Sequence, residues 1–385
     1  MDTRIDNFID DIDMLLRTKG ISPEVHEPFI PSSTSKHVYE CIKSTYLSSE
    51  GPFIDKFGHE LQRFIGSNKI ILTNTGTSAL QIALNIANIN QKEILVPSMT
   101  FIASVNAIIY NNGIPHFIDC EKNKINIDTD ALDMYLKRIA RIKNNRCFNK
   151  NTGREIAGII LVHGYGFSVN FNLVKKICKR YHLQIIEDAA ACLGSFYKNK
   201  HLGTLGKMGI ISFNGNKIIT TGMGGALICK TLSDFKKAKH LASTAKVQPS
   251  YKYVHDNIGY NYRMANINAA CGYAQLLNIR KILQKKYQLH SLYDKLISNY
   301  DFCYLLKPMQ DEKPNYWVNN IVISSKNKTL KDVLLRRLHS RGINARELWT
   351  PQHLMKMFKN YPHMKLSNSI DIWKRIISLP SSVKL

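Results

Sequence analysis

The sequence predicts an α/β protein with a large domain on a mainly parallel sheet and a smaller C-terminal α+β domain. Between about Leu61 and Cys229, short β-rich runs alternate with amphipathic helical patterns, the signature of βαβ units. A long helical pattern then runs from Ile267 to about Ser298, and strand and helix signals mix after it. These observations divide the chain into an N-terminal helix (1–25), a large domain (26–275) and a small domain (276–385).

The elements follow in order. From Met1 to Lys19, the residues Ile5, Phe8, Ile9, Ile12, Leu15 and Leu16 fall at helical spacing in an acidic amphipathic segment, with none of the features of a leader. The strand signals are Ile70 to Leu72, Ile94 to Val96, Pro115 to Ile118, Ile159 to Val162, Gln184 to Ile186 and Ile210 to Phe213, with a helical pattern from Asn172 to Arg180. The insert from Lys137 to Arg154 is basic and Asn-rich, which predicts an exposed loop or a helix extension. Strand signals from Trp317 to Ile323 and a helix from Leu330 to Arg341 complete the C-terminal part.

Composition bounds the function. At 385 residues, 44% hydrophobic and 21% charged, the chain has the length for a large core and about two domains. Every apolar run is interrupted by Pro, Asn, Lys or Gly, so no membrane span is expected. The eight cysteines have neither C-x-x-C nor metal spacing, which predicts reduced thiols and a cytoplasmic protein. His163 and His353 lack ligand partners at metal spacing and read as ordinary polar histidines. The formal charge of +24 is one that nucleic-acid binders share, but the lysines are interleaved along the whole chain and no binding motif appears. The charge therefore points to attraction for an anionic nucleotide diphosphate. The densest helical cluster, Arg280, Lys281, Lys285 and Lys286, reads as a solvated face.

The segment from Glu187 to Lys217 carries the chemistry. Asp188 follows the apolar run Leu183 to Ile186, where a parallel strand meets a ligand crevice, and Lys217 follows the strand ending at Phe213. An acid and a lysine at strand ends suit a pyridoxal phosphate enzyme. The lysine amine forms a Schiff base with the cofactor aldehyde, and the acid keeps the pyridine nitrogen protonated so that the ring accepts electrons. The polar turn Thr73 to Ser78, leading into a helix, is an anion site. Ser212 has a hydroxyl for the same phosphate, and Phe101, after the strand Glu93 to Val96, is an aromatic able to stack on a flat ring.

With these residues in place, the chain resembles the DegT/DnrJ/EryC1/StrS family of sugar-nucleotide aminotransferases, which are fold type I pyridoxal phosphate enzymes. The matching segments are Asn74 to Leu80, Val96 to Asn106, Val162 to Gly166, Ile186 to Ala190, Gly203 to Gly225 and Ile258 to Met264. Ser212 to Gly222 and Val254 to Met264 are most similar to the branch that aminates 4-ketosugars for legionaminic-acid-type polysaccharides. By position, the resemblance makes Lys217 the Schiff-base lysine and Asp188 the pyridinium partner. It makes Gly76, Thr77 and Ser212 phosphate ligands, Phe101 the stacking aromatic, and Asn261 a residue that reaches the phosphate held by the neighbouring subunit. It implies a homodimer with shared sites, L-glutamate as donor and a nucleotide-linked 4-keto-6-deoxy sugar as acceptor. Tyr165, Asn216, Trp349 and His353 are candidate sugar contacts. Two departures stand out: Ala191, where many relatives have histidine or glutamine, and Met223 in a run that is usually all glycine. A sugar dehydratase is the nearest alternative, but the family's 3-dehydratases carry histidine where this chain has Lys217. A non-catalytic basic nucleic-acid-binding protein is the alternative from another class.

Overall fold

A computed structural model describes residues 2–247, 251–324 and 330–385. Its main sheet runs, in spatial order, Ile70–Thr73, Gly225–Cys229, Met208–Ser212, Gln184–Asp188, Glu155–Val162, Glu93–Pro97 and Ile114–Ile118. Gly225–Cys229 is antiparallel to both neighbours, and the remaining pairs in this row are parallel. Glu93–Pro97 and Met208–Ser212 are buried at every residue, so both faces of the sheet are covered. Such strands read as continuous apolar runs, which is why they were legible. The segment expected to be a loop or helix extension is instead a hairpin, Ala140–Lys143 and Arg146–Asn149, added antiparallel to Glu155–Val162. Cys147 and Asn149 are buried on its inner side, so an apolar and a polar anchor suffice to hold an otherwise charged ribbon.

A second sheet, wholly antiparallel, orders Cys303–Leu305, Asn319–Ile323, Ile376–Leu379 and Arg346–Glu347. The N-terminal helix, Asp2–Thr18, lies on this C-terminal part: Phe8 packs edge-on against Tyr300 and Phe302, and Arg337 and Arg341 pair with Asp6 and Asp10. Three short strands tie the two parts together, because Glu312–Lys313 pairs with Phe196–Tyr197, itself paired with Lys200–His201. Among the described residues no helix is long and apolar enough to cross a membrane.

The long helical pattern after Ile267 is two helices, Asn266–Leu276 and Ile279–Ile297, broken at Leu277 and Asn278. We propose that the domain division falls at this break, close to residue 276. The second helix corrects the expectation for its basic cluster: Arg280, Lys281 and Lys285 are exposed, whereas Lys286 is fully buried. Lys286 stands in line with the buried Ile279, Ile282, Leu289, Tyr293 and Ile297, on the stripe that faces inward.

Asn266, also fully buried, joins three helices. Its Oδ1 accepts the amides of Phe53 (2.9 Å) and Ile54 (3.2 Å), capping the helix Pro52–Ile65 from outside. Its Nδ2 donates to the Cys41 sulfur, within the helix Ser33–Lys43, and to the Tyr46 carbonyl just beyond it. Gly51 makes room: its φ is 141°, and a Cβ there would lie 2.4 Å from the Asn266 side chain. Asn266→Ala would strand these amides, so unfolding in urea should show a loss of about 1–3 kcal/mol. A change within about 0.5 kcal/mol, as at an ordinary surface site, would contradict this account of the junction.

Candidate active site

Parallel strands present their C-terminal ends along one sheet edge, and the loops leaving that edge enclose a crevice. Here the ends of Glu155–Val162, Gln184–Asp188 and Met208–Ser212, with Thr100 and Phe101 from the loop after Glu93–Pro97, border a cavity of about 310 Å³. Asp188 is aligned with Val162 on one side and Ile210 on the other, which brings its carboxyl to the cavity wall. The Ser104 hydroxyl donates to Asp188 Oδ2 at 2.6 Å and the Ala190 amide donates to Oδ1 at 3.1 Å. Each oxygen keeps a second lone pair, so the carboxylate can accept a further N–H from the cavity. Ser104 is in turn 2.8 Å from the Thr100 hydroxyl.

The next residue points to the opposite face, as strand alternation requires. Glu187 is fully buried and accepts the amides of Gly203, Leu205 and Gly206 together with Nε2 of His163. Burial works against its charge, but the bonds from His163 and the two glycine amides outweigh it and hold the carboxyl below the usual range.

At the other end of the cavity, Thr75 caps the helix Gly76–Ile86 through its side-chain oxygen, which accepts from the Ser78 amide. No acidic residue stands in that first turn, so the amides of Gly76 and Thr77 and the positive helix end are left for an anion. A Cβ on Gly76 would lie 3.0 Å from the Cβ of Ser212, so glycine there keeps loop and strand in contact.

Lys217 ends the turn after Ser212, its amide bonded to the Asn214 carbonyl at 3.0 Å. Its Nζ lies 4.0 Å from the centre of the Trp317 ring. Burial pushes the amine down to about 8, against the opposing pull of Asp188 and Cys192. Near neutral pH a usable fraction is therefore unprotonated, which a solvated lysine does not offer.

The structure gathers Gly76, Thr77, Phe101, Asp188, Ser212, Asn216, Lys217 and Trp349 around one cavity. Phe101 is 55% exposed because it faces this open space, with its ring 6.2 Å from that of Trp349. Three expected residues stand outside the lining. Tyr165, at φ 54°, is buried between Trp317 and Trp349, stacked on both at 5.5 and 4.7 Å, so its ring backs the wall. His353 is bonded to the Ser98 hydroxyl at 2.6 Å. Asn261 is exposed on a segment that runs beside Asn74. Sequence reasoning missed Ser104 and Trp317. Ser104 was within reach, since it falls four residues after Thr100 at the start of the helix Ile102–Tyr110; nothing local marks Trp317. No cluster of metal-ligating residues occurs among the described residues.

The cavity fits pyridoxal 5′-phosphate group by group: a buried carboxylate for the ring nitrogen, an amine for the aldehyde, a helix start and a serine for the phosphate, and an aromatic face for the ring. The protein is a pyridoxal phosphate-dependent enzyme of fold type I. It belongs to the DegT/DnrJ/EryC1/StrS aminotransferase family, whose model matches residues 29–385. It is 32% identical to the GDP-perosamine synthase of Escherichia coli O157:H7 over 361 residues, covering 93% of this chain and 92% of that one. It is 29% identical to the UDP-4-amino-4,6-dideoxy-N-acetyl-beta-L-altrosamine transaminase of Campylobacter jejuni, covering 86% and 85%. The solved structure of Helicobacter pylori PseC, an aminotransferase involved in the biosynthesis of pseudoaminic acid, superposes with a TM-score of 0.82 at 26% identity, covering 94% and 93%.

A neutral amine attacks an aldehyde and an ammonium does not. Cofactor-free protein mixed with pyridoxal phosphate should therefore show visible absorbance growing faster as pH rises, with a midpoint near 8 for Lys217. A rate still climbing steeply above about pH 9.5 would mean an ordinary solvated lysine.

Proposed function

We propose that the protein moves the amino group of L-glutamate to C4 of a nucleotide-linked 4-keto-6-deoxy sugar, with a UDP-linked 2-acetamido-4-keto-6-deoxyhexose as acceptor, for a surface polysaccharide or glycan. The same reading places it in the legionaminic-acid-type branch, on the likeness of Ser212 to Gly222 and Val254 to Met264. The observation that carries the reading is Lys217, a half-buried lysine whose amine has a lowered pKa and faces the same cavity as Asp188. The C4 position and the UDP group find support in the relatives named for UDP-4-amino-4,6-dideoxy-N-acetyl-beta-L-altrosamine, which are 27–29% identical. A second reading, a GDP-linked acceptor, is favoured by the GDP-perosamine synthases, which reach 30–32%.

Pyridoxal phosphate, when bound, supplies an electron sink and a carrier for the amino group. In this reading Asp188 keeps a proton on the ring nitrogen, held in aim by Ser104. Gly76, Thr77 and Ser212 bind the phosphate, and Phe101 stacks on the ring. Lys217, freed from covalent attachment, takes a proton at Nζ from the donor carbon and returns one to C4 of the sugar. Asn216 and Trp349 line the space left for the sugar, and Met223, 61% exposed at the cavity rim, narrows its mouth. Donor and acceptor use the site in turn, which gives ping-pong kinetics.

Lys217→Ala should lose multiple turnover, and full activity would sink the reading. Across a panel of nucleotide 4-ketosugars with glutamate, the UDP-linked 2-acetamido sugar should give a higher kcat/KM than dTDP-4-keto-6-deoxyglucose, with 2-oxoglutarate as co-product. Preference for a GDP-linked 4-keto-6-deoxyhexose would install the second reading. Release of deoxygenated sugar without glutamate would identify a dehydratase.

The reading includes a homodimer in which Asn261 reaches the partner's phosphate. Its support is the exposure of Asn261 and, close by in the chain, of Tyr251, Tyr253, Val254 and Ile258. Asn261→Asp and Lys217→Ala chains, refolded together, form heterodimers with one doubly damaged and one intact site. Random pairing should restore about a quarter of wild-type activity. Both variants impaired, heterodimers present and no recovery would show that each site is built within one chain.

A further inference from the structure

Trp317 is held from several directions. Its indole N–H donates to the Asn216 carbonyl at 2.7 Å, and its amide donates to Asn315 Oδ1 at 3.0 Å. Asn315 donates in turn to the carbonyls of Ala191 and Leu193, just beyond Asp188. One face of the ring stacks on Tyr165. The Trp317 carbonyl accepts from Lys286 Nζ at 2.9 Å, and the same amine donates to the Ser381 carbonyl. Lys286 has no carboxylate partner among the described residues, and burial holds its amine well below the ordinary lysine range. Two backbone carbonyls receive hydrogens of this amine. Lys286 thus takes its bonds from the backbone rather than from an acid.

We propose that the Trp317 ring is the seat of Lys217 whenever its amine is not covalently engaged, and that Lys286 is the positioning residue that keeps this seat in place. The proposal rests on the reading of Lys217 as the cofactor-binding lysine. An aromatic face attracts an ammonium and not a neutral amine, so it holds Lys217 in the protonated form between proton transfers. The other groups facing Lys217 are Asp188 and Cys192, at and after the end of Gln184–Asp188, and His26 from the N-terminal segment. Asp188 favours the ammonium. His26, bonded to the Asn216 carbonyl at 2.8 Å and pushed well down by burial and by Lys286, adds no charge near neutral pH. The seat offsets part of what burial does to the amine and keeps the released lysine beside the reacting carbons.

The test uses full-length protein freed of cofactor, pulsed with pyridoxal phosphate across pH, quenched with borohydride and digested, with labelling at Lys217 read by mass spectrometry. Replacing the three tryptophans with fluorinated analogues drains the ring face while keeping its shape. The Lys217 midpoint should fall stepwise with each fluorine, by about half to one and a half pH units across the series. Lys286→Met should flatten that dependence to less than half its wild-type slope. Should this variant fail to fold, Lys286→Gln, which has two amide hydrogens for the same carbonyls, should keep most of the slope. A midpoint indifferent to fluorination overturns the seat. A full slope in folded Lys286→Met with a lowered melting temperature makes Lys286 a purely structural residue and overturns its positioning role, as does a flat slope in Lys286→Gln. Absence of any label on Lys217 would instead bring down the functional reading beneath the proposal.

Discussion

Glu187 keeps a negative charge although it is fully buried. Three amides and the imidazole of His163 make that possible, and the exchange fixes more than the carboxylate. Gly203, Leu205 and Gly206 belong to the loop that enters the strand Met208–Ser212, the strand whose end supplies Ser212 and, one turn later, Lys217. The neighbouring residue, Asp188, points the other way, into the cavity. One dipeptide therefore locks the adjoining strand on one face of the sheet and presents an acid to the cavity on the other. The spacing between acid, serine and lysine follows from that lock, since the register Met208 to Ile186 and Ile210 to Asp188 leaves no slack.

Burial is used in opposite ways at two lysines. Lys217 is shielded but keeps Asp188 near it, so its amine settles close to neutrality and can alternate between its two forms. Lys286 has no acid beside it among the described residues and donates to two carbonyls, with burial holding its amine well below the ordinary lysine range. Between them stands Trp317, whose ring meets the first lysine and whose carbonyl meets the second. The chain thus places a cavity-facing and an inward-facing amine at the two ends of one aromatic residue, and their surroundings set them apart.

What could be read from the sequence was whatever is local. Asp188 and Ser212 lie on strands that carry short apolar runs, and Gly76 and Thr77 lie at a polar turn before a helix, so each could be placed without knowing its neighbours. Side-chain direction was harder. Tyr165 sits in the expected segment, but its left-handed backbone turns the ring between two tryptophans, and His353 is drawn to Ser98. Trp317 comes from about a hundred residues beyond Lys217 and carries no local signal of its contact. Lys286 was legible and misread: the stripe Ile279, Ile282, Leu289, Tyr293 includes it, but its charge suggested solvent. In the hairpin 140–149, charged residues on the outer face obscured an inner face held by Cys147 and Asn149.

The short pairing of Glu312–Lys313 with Phe196–Tyr197 bears on how reactants come and go. Backbone bonds there, reinforced by Asn315 reaching the carbonyls beyond Asp188, rivet the C-terminal part to the wall of the cavity. A clamshell swing of one part against the other would have to shear that rivet on every cycle. Access to the cavity then falls to side chains that line it: Phe101 and Met223, both more than half exposed, and Trp349. Turnover becomes a matter of turnstiles rather than doors.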